Sequence, residues 1–147
     1  AALGYAPLAR WRERITRVVL LGPVHRVAVR GLAAPTADTF ETPLGRVLID
    51  QDTLASLSDL PQVVQADLPH AQEHSLEVHL PFLQAVLGDG FALLPLAVGD
   101  ASPAEVAQVM NSQVAVLALS VSAALIGKPQ FHSELTRLPL GPLGHRA

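Results

Sequence analysis

Apolar residues run almost unbroken through "RVVLLG" (17–22), "FALLPLAVG" (91–99) and "QVAVLALSV" (113–121). Runs of this length, rich in leucine and valine and punctuated by glycine, predict strands buried on both faces, as in parallel sheets. "GRVLID" and "QVVQA" predict two shorter strands. Between them the spacing turns helical. "DQDTLASLSDL" predicts a helix with Asp50 as its N-cap, and "SPAEVAQVM" opens with a capping box, Ser102 at the cap and Glu105 three residues on. The opening "AALGYAPLARWRERI" is helix-forming apart from Pro7. Residues 23–43, rich in Gly, Pro, Ala and Thr, predict a long ordered loop, a place where function is often carried. Strands and helices in alternation predict an α/β protein, a three-layer αβα sandwich on a mainly parallel or mixed sheet. Residues 1–127 form the expected domain. The tail from Lys128, "KPQFHSELTRLPLGPLGHRA", lacks periodicity and predicts an irregular segment.

One polar stretch breaks this pattern. "HAQEHSLEVHLPF" (70–82) holds three of the chain's six histidines and two glutamates. Proline near its start favours a helix from about Pro69, and Pro81 predicts a kink, or a break and restart, before a close at Gly88. On a continuous helix His70, His74 and Glu77 share one stripe with Glu73 beside them, while Leu76, Leu80 and Leu83 form an apolar stripe and His79 points elsewhere. Two imidazoles beside carboxylates suit a metal or a proton shuttle, and they equally suit the wet face of an ordinary amphipathic helix. The spacing is neither HExxH nor HxxEH. "VVLLGPVHRV" places His25, followed by Arg26, just past the carboxyl end of a buried strand, where open α/β sheets gather their ligands. Asp38, Glu41 and Asp50 read as turn and cap residues, and Tyr5 and Trp11 as packing residues.

Composition narrows the field. Of 147 residues half are hydrophobic and 16% are charged, which places the chain among globular proteins. A net charge of −3 gives nucleic acid no electrostatic footprint. Without cysteine, any metal ligands here must be His, Asp or Glu. The lack is compatible with a cytoplasmic protein. The run 114–127 falls short of the roughly 20 residues of a transmembrane helix. No signal peptide is visible, and a start at "AALGYAP" without Met predicts a processed or partial chain.

Taken in order, "RVVLLGPVHRV", "GLAAPTADTFETPLGRVLID", "HAQEHSLEVHLPFLQAVLG" and "LLPLAVGD" resemble the Memo family, whose bacterial members are called AmmeMemoRadiSam system protein B. The resemblance runs from about Ala1 to about Met110 and implies a fold similar to class III non-haem iron extradiol dioxygenases. It implies a pocket for iron or copper, with His25 as a metal ligand, His74 as the counterpart of the dioxygenases' acid–base histidine, and Glu73 as its motif neighbour. Two parts of the family pattern are missing. An earlier "PHAGY"-type motif would supply another ligand, and "AALGYAP" resembles the segment just after it. A late "SSDxSH" or "SSDxCH" motif is replaced by "VAVLALSVSAALIG", which keeps Ser120 and Ser122 alone. The resemblance therefore implies a truncated or degenerate member with a vestigial or incomplete metal pocket, since a stable site usually takes three protein ligands. Two alternatives stand beside it. One is a non-catalytic module binding an anion or phosphopeptide, as the family's human member binds phosphotyrosine peptides. The other is a metal-dependent dioxygenase-like oxidoreductase with His74 as acid–base catalyst. A peptide or small molecule is the expected partner, with neither nucleic acid nor membrane.

Overall fold

The computed structural model describes residues 2–112 and 117–120. A five-stranded mixed sheet runs in the order β5-β2-β6-β1-β7. The long central strands are β1 (Arg17–Pro23) and β6 (Ala92–Val98), parallel and in register from Arg17↔Ala92 to Pro23↔Val98. β7 (Leu117–Ser120) lies parallel to β1 on its other side, with Ser120 opposite Leu21. β2 (Leu32–Ala34) is antiparallel to β6 and parallel to β5 (Val63–Gln65). A separate ribbon pairs β3 (Thr39–Thr42) with β4 (Gly45–Leu48), and Ile49 just beyond it bridges to Leu93.

The two-residue period of the strands sorts side chains to opposite faces. Val19, Leu21, Leu94, Leu96 and Val98 pack under α2 (Gln51–Leu57) and α5 (Pro103–Asn111), meeting Leu54, Leu57, Val106 and Val109. Val18, Leu20, Leu93 and Ala97 face the other way, against Tyr5 of α1 (Ala2–Tyr5) and Leu80, Leu83 and Leu87 of α4 (Leu80–Leu87). The molecule is thus an α/β sandwich of three layers. Among the described residues no helix is long and apolar enough to cross a membrane.

Local signals set several boundaries. Asp50 caps α2 by accepting from the Thr53 N–H, and it also pairs with Arg17. Ser102 and Glu105 form the full capping box of α5. Gly31, at φ 87°, admits the backbone of Gln62, since a Cβ there would lie 2.0 Å from the Gln62 carbonyl oxygen.

Two expectations need correction. The supposed loop at 23–43 contains β2 and β3. Leu32, Ala33 and Ala34 are fully buried, so β2 owes its strand form to neighbours on both sides rather than to a local pattern. The polar stretch does not form one helix to Pro81. α3 (Leu68–Ala71) is a single turn, residues 72–76 leave the helix, and the chain resumes with a 3₁₀ turn (Glu77–His79) that leads into α4. The break precedes the proline and coincides with hydrogen bonds that the Glu73 carboxylate accepts from the His25, His74 and Ser75 amides. The tail from Lys128, with His132 and His145, lies outside the described residues, as does Ser122.

Candidate functional site at the carboxyl end of β1

β1 ends at Gly22-Pro23, and the 72–76 segment packs directly on that end. A Cβ at Gly22 would meet the Ser75 Oγ at 2.7 Å and the Leu76 Cδ2 at 2.8 Å. Only glycine permits so close an approach, and Leu76 then reaches the core. The Ser75 hydroxyl donates to the Pro23 carbonyl at 2.9 Å. The strand end and the loop that follows α3 are therefore locked together.

Glu73 is the centre of the lock. Its Oε2 accepts the His25 backbone N–H at 2.8 Å, and its Oε1 accepts those of His74 at 3.0 Å and Ser75 at 3.1 Å. The His25 ring Nδ1 lies 3.1 Å from both carboxylate oxygens. These bonds draw residues 72–76 out of the helical path, because the carboxylate captures the amides of the next two residues. Burial pushes the Glu73 carboxyl up, but the bonds from the His25 ring, the His25 and Ser75 amides and the charge of His25 outweigh it and hold the group at about 2.

The three nominated residues thus gather at one point in the chain, with different exposures. The Glu73 side chain is 8% exposed, whereas that of His25 is 60% exposed. His74 joins the cluster through its backbone. Its ring is 77% exposed and turns to Glu77, with 3.6 Å between Nδ1 and Oε2.

The other two histidines of the stretch are structural. His70 puts Nε2 3.1 Å from the Ala33 carbonyl and meets Phe40 edge-on. Burial lowers its pKa, against the Ala33 bond and the charge of Asp67, which raise it. His79 is buried, and its Nδ1 is hydrogen-bonded to the Tyr5 hydroxyl. Of the stripe drawn from helical spacing, the His74–Glu77 pair remains, while the His70 ring turns away to Ala33.

Beside the lock opens a cleft of about 250 Å³ with apolar walls from Pro35, Phe40 and Leu76. Asp67, His70, Glu73 and Glu77 supply its polar lining, while His25 and His74 lie off it. Asp67 stands at the N-cap position of α3 yet makes no cap bond. Its two oxygens instead accept from the Thr36 N–H at 2.7 Å and hydroxyl at 2.6 Å. Sequence reasoning missed Asp67, Thr36, Phe40 and Ser75, because their partners lie at least 30 residues away.

As a metal centre the described residues offer one exposed imidazole beside a buried carboxylate, an arrangement that suits a ligand histidine. Among those residues no group of three or more His, Cys, Asp or Glu converges to hold an ion. The residues present therefore fit one ligand and not a full coordination set.

Comparison with known proteins adds a lineage. Residues 1–126 match the family model described as "Memo-like protein". A "MEMO1 family protein" of Ignicoccus hospitalis is 38% identical over 113 residues, 76% of this chain and 39% of the relative. One of Thermotoga petrophila is 32% identical over 142 residues, 95% of this chain and 50% of the relative. One of Nitrosopumilus maritimus is 30% identical over 115 residues, 78% of this chain and 42% of the relative. The chain thus spans two fifths to half the length of these relatives, and the family match extends past Met110, where the resemblance was expected to end. The chain belongs to the Memo-like protein family.

Proposed function

We propose that this chain carries the histidine part of an incomplete non-haem metal pocket at the carboxyl end of β1, within a dioxygenase-like fold. His25 is its ligand and Glu73 the buried group behind it. The observation that carries this reading is the His25 ring held 3.1 Å from the Glu73 carboxylate while most of that side chain stays exposed. An imidazole suits either iron or copper, which would act there as a Lewis acid or redox centre. His74, exposed beside this site with Glu77 3.6 Å from its ring, is the group that would exchange protons with solvent. A phosphopeptide fits less well, since the cleft lining sets three carboxylates around His70, whose proton affinity burial reduces.

Anaerobic titration of the chain with Fe(II), read by bound metal per chain, tests the proposal. The expected outcome is weak, substoichiometric binding that His25→Ala abolishes. Tight binding of one iron per chain would refute the incompleteness, and binding unaffected by His25→Ala would refute the ligand.

A further inference from the structure

The atoms around Glu73 say more about His25 than that it is nearby. Among the described residues, every hydrogen bond on the carboxylate comes from a group able to donate: three backbone N–H groups, from His25, His74 and Ser75, and the His25 ring nitrogen. An ionised carboxylate accepts and cannot donate. An Nδ1 lying 3.1 Å from both of its oxygens therefore holds the ring proton. In a neutral imidazole the other nitrogen, Nε2, is then the lone-pair atom. The carboxylate cannot simply follow the ring, because backbone amides pin it from two directions, the β1 end on one oxygen and the 74–75 turn on the other. Ser75 fixes those two backbones to each other through Pro23.

We propose that Glu73 is a positioning residue that locks the neutral His25 ring into a single tautomer, protonated at Nδ1, so that the Nε2 lone pair is the atom offered to a ligand. The group recognised there is an electron-pair acceptor, a metal cation in the reading above, and not an anion. Glu73 thus orients the donor and takes no part in the chemistry itself. It also explains why the strand-end "GPVHR" and the distant "EHS" work as one unit: the second block supplies the acceptor that sets the chemistry of the first. The inference rests on His25 being the pocket's donor, yet its test needs no metal.

Long-range ¹H–¹⁵N correlation spectra of the metal-free chain report which ring nitrogen is protonated. They are recorded over a rising pH series and read where the ring signals no longer move with pH, and His25→Ala identifies the signals. In the wild-type protein His25 is expected as the Nδ1–H tautomer alone. Glu73→Gln places an amide NH₂ against an N–H donor, and the ring is expected to relax to a mixture of tautomers. A wild-type His25 protonated mainly at Nε2 would overturn the proposal, whether or not any variant folds. So would an unchanged single tautomer in a folded Glu73→Gln chain. Loss of the iron signal in the titration above, with the tautomer intact, would instead sink the metal reading and leave this one standing.

Discussion

Ser75 donates its hydroxyl to the carbonyl of Pro23 at 2.9 Å, across 52 residues of chain. The bond joins the last residue of a central strand to a loop that the sequence presents as helix. Ser75→Ala removes one hydrogen bond and should cost about 1 kcal/mol. Gly22→Ala forces a methyl against Ser75 and Leu76 and should cost more, about 1–3 kcal/mol. Urea denaturation midpoints would rank the two, and a Gly22→Ala protein as stable as wild type would contradict the packing described.

Acid should weaken the same junction. The folded-state Glu73 carboxyl sits at about 2, below its ordinary 4.5. The unfolded chain therefore binds this proton first, so the stabilisation is complete above about 4.5 and is lost as pH falls towards about 2. His70 acts in a higher window. Its folded pKa lies below the ordinary 6.5, so stability also declines as pH drops through that value. Thermal unfolding from pH 7 to 3 should show both declines, and Glu73→Gln should flatten the lower one.

Tyr5 anchors the N-terminal helix. Tyr5 is buried, stacks on Phe82 with ring centroids 5.3 Å apart, and bonds to His79. Tyr5→Phe should cost about 1 kcal/mol for the lost bond, and Tyr5→Ala about 3–5 kcal/mol by analogy with other large aromatic truncations. Arg10, Arg12 and Arg14 lie exposed just beyond it. Limited trypsin digestion should cut there faster in Tyr5→Ala, and unchanged cleavage would count against the anchor.

Helix α5 supplies a local control. Ser102→Ala deletes the side-chain half of the capping box and should lower stability by about 1 kcal/mol. The site lies elsewhere, so the His25 tautomer should not change in the same NMR experiment.

Several elements were legible in the sequence because their causes are local. β1 and β6 announce themselves as continuous apolar runs, since a strand covered on both faces needs apolar residues at every position. The caps of α2 and α5 are short-range exchanges between a side chain and the amide three residues on. The position of His25 just past β1 followed from the apolar run ending at Gly22-Pro23, and the motif blocks gave the family.

The fate of residues 70–79 was not a local matter. Spacing alone put His70, His74 and Glu77 on one stripe, as a helix would. Glu73 instead satisfies amides at 25, 74 and 75, and that set of bonds outweighs the few intrahelical bonds a short segment could keep. Once the helix breaks, His70 turns to Ala33, His79 to Tyr5 and His74 to solvent. Local pattern along the chain was enough for the apolar strands, the helix caps and the histidine at the strand end. Which carboxylate faces that histidine depended on the folded chain, because the partners meet across 48 residues through contacts that no periodicity records.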